Sequence, residues 1–445
     1  MKFRKLLLGA IVFASMPSAM AADLMQVYRL AIANDAQYAA ARQQYKAIRE
    51  NRPLARSALL PQVNLSASAT RNHVRYQGVF ASGRPVPNGS SDYSSAGYTL
   101  SLSQTVFNYA DWVALKQADK TVAAAQANLD QTAQTLILST AEAYFNVLSA
   151  QDQLRFSEEN QRAIHRQLEQ AKKRYEVGLV PSTDVKQAMA SYDLARAQTI
   201  KALNAVNTAK ESLTVLTGRP VEKLAPLVGR IPLISPAPQK MKAWVHAALK
   251  QNLNLIASRL DLQASRENVN AQRAGHYPTV SLVASHNYVD NGAGASTTGK
   301  ISTDAIALQI NVPLFSGFRV NSLTDQAQYQ YLQAQQNLVG LERQIISQTR
   351  TAYLNVESAI SQVKALRLAV KSNEASVKAT EAGFKVGTRT SLDVLTALAD
   401  LYQAQSEYSQ ARYAYLIDTL KLKLVSGLLT VSDLEHINAY LAKQG

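Results

Sequence analysis

Few residues in this chain have the type and spacing to do chemistry, and most of their patterns argue against catalysis. The six His residues stand at 73, 165, 246, 276, 286 and 436. They form no i,i+4 pair and no metal-ligand spacing. There is no Cys, and no Ser/His/Asp arrangement stands out. Gly294 to Lys300 fits the G-x-x-x-x-G-K part of a phosphate-binding loop. Ile301 follows where Ser or Thr is needed, and a strand pattern follows where a helix is needed, so the segment reads as a hairpin tip. The sequence implies no enzyme, no cofactor and no metal.

Two charged residues do sit in a pattern. Asp184 and Asp393 each follow a glycine turn, at Gly178 and Gly387. Each glycine can take the left-handed conformation that ends a helix. Ser182 or Thr183, and Thr390 or Ser391, can cap the next helix, with Asp184 and Asp393 at its positive end. The chemistry is that of two sharply made helical hairpins.

Long helices must position these turns. Tyr144 to Tyr175 and Asp184 to Thr217 flank the first; Tyr353 to Phe384 and Asp393 to Ser426 flank the second. The two copies are internally similar. Ala143, Tyr144, Asn146, Val147, Ser149 and Ala150 recur as Ala352, Tyr353, Asn355, Val356, Ser358 and Ala359, about 210 residues on. That period is far above the 20–50 of solenoid repeats. It reads as duplication of a whole half-protein. The organisation expected is residues 1–21 a signal peptide, 22–217 a first repeat, 218–241 a linker, 242–427 a second repeat and 428–445 a C-terminal segment.

The start has the three parts of an export signal in order. Lys2, Arg4 and Lys5 come first, then apolar Leu6 to Ala14, then the small-residue cleavage site Ala19-Met20-Ala21. The 445-residue chain carries a net charge of +15, and +12 once those three cations are removed. The charges are spread along helices, so a solvated helix face is the better reading and no nucleic-acid partner is expected. Export without Cys excludes a disulfide framework and a lipid anchor on Cys. No later stretch offers about 18 consecutive apolar residues, which excludes a transmembrane helix.

Along the chain, Asp23 to Leu59 reads as helix, with Pro53 the one suspect residue. After Pro61 the period becomes two. Val63, Leu65, Ala67 and Ala69 alternate with Asn64, Ser66, Ser68 and Thr70. A polar loop with Gly78, Gly83 and Gly89 follows, then Tyr98, Leu100, Leu102 and Val106 against Thr99, Ser101, Ser103 and Thr105. These are strands with one apolar and one polar face. No Gly or Pro interrupts Ala110 to Val177, about 68 residues or roughly 100 Å of helix. Leu115, Ala118, Val122, Ala125 and Leu129 mark its seam, and so much Ala predicts close packing around little core. Gly218 to Met241 holds five Pro and no helical period. The second half repeats the order: helix from Lys242 to Gly275, alternating strands at Val280–Ser285 and Ala305–Val312 around a Gly- and Ser-rich loop, and long helix from Arg319 to Phe384.

Four half-polar strands cannot stand alone in lipid. An open sheet edge would leave backbone groups unsatisfied, and bacterial barrels need at least 8 strands. Two or three chains would close one. Phe107, Tyr109, Trp112, Tyr277, Phe315 and Phe318 at one end of the strands, and Tyr76, Tyr93 and Tyr288 near the other, are candidate aromatic girdles.

These parts match a family. The sequence resembles the TolC-type outer-membrane channels over nearly the whole mature chain. The likeness rests on Leu59-Leu60-Pro61-Gln62, Thr135-Leu136-Ile137-Leu138, Ala143-Tyr144-Phe145-Asn146-Val147-Leu148, Val177-Gly178-Leu179-Val180 with Thr183-Asp184-Val185, and Val386-Gly387-Thr388-Arg389-Thr390 with Asp393-Val394-Leu395. It implies an α+β membrane protein: a homotrimer with a 12-stranded barrel in outer-membrane lipid and a 12-helix tunnel in the periplasm. It also implies a passive duct for drugs or unfolded proteins, working with a periplasmic adaptor and an inner-membrane RND, ABC or MFS transporter.

The resemblance gives the turns a role as the periplasmic gate. In the family an Arg of the second turn bonds a Thr-Asp pair of a neighbouring first turn; Arg389 and Thr183-Asp184 stand there. A family Tyr that bonds this Asp is replaced by Phe384, while Tyr175 holds the matching place in the other copy. Asp393 matches the first of two lumen-facing Asp residues, and Thr396 replaces the second, so at most one acidic ring of three is expected to attract a cation. Val177, Gly178, Leu179, Val386, Gly387 and Thr388 are the expected adaptor-docking tips. The competing reading is a periplasmic coiled-coil scaffold with no membrane part.

Overall fold

The computed structural model describes residues 21–442, apart from 79, 82–83, 86–87 and 296. Residues 1–20 of the expected signal peptide, the loop position Gly83, and the last three residues therefore lie outside the described residues.

In chain order the elements are α1 (Leu24–Asn34), α2 (Ala36–Arg49), α3 (Asn51–Ser57), β1 (Gln62–Tyr76), the short pair β2 (Phe80–Ala81) and β3 (Arg84–Pro85), β4 (Gly89–Phe107), α4 (Tyr109–Glu176) and α5 (Ser182–Thr217). Then come α6 (Met241–Gln251), α7 (Leu253–Arg273), a 3-10 turn (Ala274–His276), β5 (Thr279–Asn291), β6 (Gly299–Asn311), α8 (Arg319–Lys385), α9 (Ser391–Val425) and α10 (Val431–Asn438). The expected hairpin tip at Gly294 to Lys300 lies between β5 and β6 and runs into β6.

The chain forms two compact units, and each draws on both halves of the sequence. One consists of Arg42–Leu129 and Leu253–Arg343; the other holds the remainder. The first contains the sheet, in the order β1-β4-β5-β6 and antiparallel throughout. Its register is unbroken except for a shift between Thr105 and Phe107. Its helices pack through small side chains, with Ala118, Ala124, Ala125, Ala257, Ala264 and Ala327 all buried. This is the close packing expected of an Ala-rich seam.

The second unit has the larger core. Tyr144, Phe145, Val147, Leu148, Val356, Leu420 and Leu434 are buried in it. The first copy of the Ala-Tyr motif is anchored here. Tyr144 Oη donates to the carbonyl oxygens of Ala225, at 2.7 Å, and Ala22, at 3.3 Å. Burial pushes this phenol's pKa up, so it stays a donor to the irregular segment between α5 and α6.

Two helices expected to be continuous are broken. Asp35 takes an extended ψ of 121° and Asn252 a ψ of 122°. Asp35 Oδ1 accepts from the Tyr38 N–H at 2.6 Å and so caps α2. Asn252 Nδ2 donates to the Val425 carbonyl at 2.8 Å. The ends of the returning helices abut these breaks. A Cβ on Gly218 would lie 2.9 Å from Asn34 Cβ, and one on Gly427 would lie 2.2 Å from the Gln251 carbonyl oxygen. Pro53 falls in the first turn of α3, where its missing N–H costs nothing. Among the described residues no helix is long and apolar enough to cross a membrane.

Candidate functional site

Two regions present themselves: the pair of helical turns in one unit and the two-faced sheet in the other.

Both turns close α-helices in the same way. At the first, Gly178 has φ of 74°; its N–H donates to Tyr175 O at 2.9 Å and the Leu179 N–H to Arg174 O at 2.8 Å. At the second, Gly387 has φ of 80°; its N–H donates to Phe384 O at 3.2 Å and the Thr388 N–H to Gly383 O at 2.9 Å. Each is the two-bond glycine closure that satisfies orphan carbonyls at a helix end.

The starts of the return helices differ. Ser182 and Thr183 do not cap α5. Its N-cap is Pro181, which offers no side-chain hydrogen bond. Proline has no acceptor to give, so the N–H groups at the start of α5 have no side-chain cap. The helix instead begins one residue early, with Asp184 in its first turn. α9 is capped by Thr390: its hydroxyl accepts from the Asp393 N–H at 3.2 Å, while Asp393 Oδ2 accepts from the Thr390 N–H at 2.8 Å and its hydroxyl at 2.9 Å. This reciprocal box satisfies two donors at once. The Thr390 backbone bond, then its hydroxyl, then the Arg389 charge hold the Asp393 carboxyl below the usual aspartate range. Ser391, the other expected cap, is buried, and its Oγ has no partner.

The other residues expected at these turns lie around this frame. Phe384 carries the Arg174 guanidinium 4.4 Å from its ring centroid, so a cation–π contact joins the two turns. Arg389 folds back over the end of α8. A Cβ on Gly383 would lie 2.7 Å from Arg389 Cγ, so this glycine makes the room. Among the described residues no ion pair joins Arg389 to Asp184 within one chain. Thr183 and Thr396 are exposed, and Asp184 is half-buried. Tyr175 is half-exposed, and Val177, Leu179 and Val386 are 69, 72 and 75 % exposed, apolar side chains presented to solvent at the two turns. Arg174 escaped the sequence reading because it carries no local signal. The clue was the missing hydroxyl at Phe384, an aromatic face left for another partner.

On the sheet, the apolar positions Val63, Leu65, Leu100, Leu282, Ile306, Leu308 and Ile310 are exposed, and Leu102 is half-buried. The register places them together on one face: Val63 pairs with Leu102, Leu65 with Leu100, and Leu282 with Leu308. Tyr98 and Tyr288 stack there, 5.5 Å apart. Tyr93, expected in the same girdle, pairs with Asn72 and lies on the hydroxyl-rich face instead. The side chain of Tyr76 lies outside the described residues. At the other end Tyr109 and Tyr277 are 5.3 Å apart, and Phe315 and Phe318 5.5 Å. Each hairpin also carries a cross-strand pair unread in the sequence, His73–Asp92 and His286–Asp304, both at 2.7 Å. Such pairs depend on register, which the sequence does not print. No group of three or more metal-ligating side chains gathers among the described residues.

Comparison with known proteins follows from this geometry. The profile of the outer membrane efflux protein family matches residues 27–219 and 244–428. The outer membrane protein TolC of Vibrio cholerae is 35% identical over 95% of this chain and 94% of its own length. The alkaline protease secretion protein AprF of Pseudomonas aeruginosa is 31% identical over 97% and 90%. Among solved structures, the outer membrane protein VceC of Vibrio cholerae superposes with a TM-score of 0.76 at 22% identity, covering 91% of this chain and 96% of that one.

Proposed function

This chain belongs to the outer membrane efflux protein family, and from that premise we propose that three copies form the outer-membrane exit duct of tripartite efflux pumps and type I secretion systems. It is an outer-membrane efflux and secretion channel, not an enzyme, and it extends into the periplasm. The scaffold without a membrane part is not favoured.

The observation that carries the trimer is the sheet. β1 and β6 are its edges, and one face is apolar and exposed. In hydrocarbon each unpaired edge costs several kcal/mol per backbone group. Pairing β6 of one copy with β1 of the next satisfies them, and three copies give twelve strands. The helices of three copies then enclose the periplasmic tunnel, and the likeness of the two sequence halves is the trace of a duplication. Purified channel is expected to weigh three chains in native mass spectrometry with detergent removed; a stable monomer overturns the reading.

The turns form the gate and the docking tips. Arg389 reaches Thr183 and Asp184 of the neighbouring copy, which fits the lack of an ion-pair partner for Asp184 among the described residues of its own chain. Arg389→Ala should raise single-channel conductance in planar bilayers, and no rise counts against the assignment. The exposed apolar side chains of Val177, Leu179 and Val386 take the adaptor of an RND, ABC or MFS transporter. Cysteines placed at Val180 and Thr388 should crosslink to it, and lack of product removes that part.

A further inference from the structure

The two free edges of the sheet are out of line with each other. Val63, Leu102, Ala284 and Ile306 share one rung across β1, β4, β5 and β6. Past that rung toward the long helices, β6 runs five residues on, to Asn311, and β1 only one, to Gln62. In the other direction β1 runs thirteen residues, to Tyr76, and β6 seven, to Gly299. The edge of one copy can therefore use all of β6 against β1 of the next only if the two are displaced by four to six residues.

Barrel closure asks for the same displacement. Four strands about 4.8 Å apart, tilted by about 35–45°, carry the next copy roughly 13–19 Å along the strand, or about four to six residues. An odd displacement would turn apolar side chains onto the polar face, which leaves four or six. Side-chain chemistry separates these. At six, Ile306 of one copy faces Ala69 of the next, Leu308 faces Ala67 and Ile310 faces Leu65. Asp304 then meets Arg71, where the apolar run of each strand ends. On the polar face Ile301 meets Val74, the one large aliphatic residue of each edge strand there, 41 and 43 % exposed. At four, Asp304 would face Ala69 and Ile301 would face Asn72. Opposite charges and matched apolar side chains across a strand pair stabilise it, and like charges oppose it. The one like-charged match at six is Lys300 with Arg75, at the far tip, where Asp290 stands opposite Lys300 within the sheet. Arg71 and Asp304 are both exposed. Asp304 Oδ1 lies 2.7 Å from His286 Nδ1, and Arg71 closes no ion pair among the described residues.

We propose that neighbouring copies join β6 to β1 six residues out of line, and that Asp304 of one copy and Arg71 of the next form the ion pair that fixes this register. The inference rests on the trimer reading above and adds the residues by which one copy recognises the next. Backbone hydrogen bonds accept any even register, so only side chains distinguish six from its neighbours. The pair lies at the end of the exposed apolar band remote from the helices. A slip of two residues one way sets Asp304 against Ala69, and the other way sets Arg71 against Ile306. Asp304 keeps His286 on one oxygen and offers the other to Arg71.

Disulfide mapping of the full-length protein in outer membranes tests the register. The chain has no Cys, so Leu308→Cys can be combined in turn with Leu65→Cys, Ala67→Cys or Ala69→Cys and oxidised. All four positions lie on the apolar face, and none belongs to the ion pair. Ala67→Cys should give covalent trimer at several times the yield of either alternative. A best yield with Leu65→Cys or Ala69→Cys overturns the register. No product with any of them, from protein that weighs three chains, overturns the seam. Protein that weighs one chain sinks the trimer reading instead. For the ion pair, Arg71→Asp and Asp304→Arg should each cut the trimer that survives SDS severalfold, and the two together should restore most of it. Singles as resistant as wild type, or a double no better than the poorer single, overturn the pair.

Discussion

The turns at Gly178 and Gly387 end their helices identically and begin the next ones differently. The second is closed by Thr390 and Asp393, each holding the other's backbone N–H. The first has Pro181 where a cap would be and leaves Asp184 without a local bond of this kind. In one turn the aspartate is spent on its own helix. In the other it remains available to a neighbour. The gate proposed above would need one firm side and one side whose bonds are made between copies, and the asymmetry fits that division.

The largest test concerns what the turns share. Gly178 and Gly387 both have positive φ, and nothing lies within 4 Å of a Cβ built on either. Valine at each should therefore cost only backbone strain, about 1–2 kcal/mol, and equally. Hydrogen exchange at the Leu179 and Thr388 amides should speed up roughly tenfold or more in the matching variant. Unequal losses would show that the two closures are not equivalent.

What they do not share comes next. Thr390→Ala should cost about 1 kcal/mol and loosen the second turn alone. Pro181→Ser should do the reverse and protect the start of α5 by up to a similar amount, since Pro181 already has the φ of −72° and ψ of 159° that a capping residue adopts. If Pro181→Ser leaves exchange in α5 unchanged, the missing cap is not what distinguishes the turns. Smaller again is the contact between them. A double-mutant cycle of Arg174→Ala and Phe384→Ala should give a coupling of about 0.5–1 kcal/mol, and zero coupling would leave the turns independent.

The sequence carried some of this comparison and withheld the rest for identifiable reasons. The long helices were legible because no Gly or Pro interrupts Ala110 to Glu176 and the apolar spacing persists throughout α4. The strands were legible because a period of two admits only one geometry. Gly178 and Gly387 were legible because left-handed backbone selects glycine. The breaks at Asp35 and Asn252 were not, since both depend on the end of another helix, at Gly218 and Gly427, arriving from about 180 residues away in sequence. The cap of α5 was misplaced because Ser182 and Thr183 have the right chemistry one and two residues too late; position, not type, decided it. Tyr93 was assigned to the girdle by proximity alone, and register moved it to the other face.

Acid separates the turns most finely. The Asp393 carboxyl is held below its ordinary value of 3.8. A carboxyl with a lowered folded pKa contributes its full stabilisation above the unfolded value and loses it as pH falls through the folded one. The capping box of α9 should therefore be intact at neutral pH and weaken only below about pH 4. Exchange at the first amides of α9, measured downward from that point and corrected for intrinsic rates, should show a step that Asp393→Asn abolishes. Asp184→Asn should leave the step in place, because the box contains only Thr390 and Asp393. Were the step to survive Asp393→Asn, the protonation responsible would lie elsewhere, and the claim that this aspartate is committed to its own helix would fail with it.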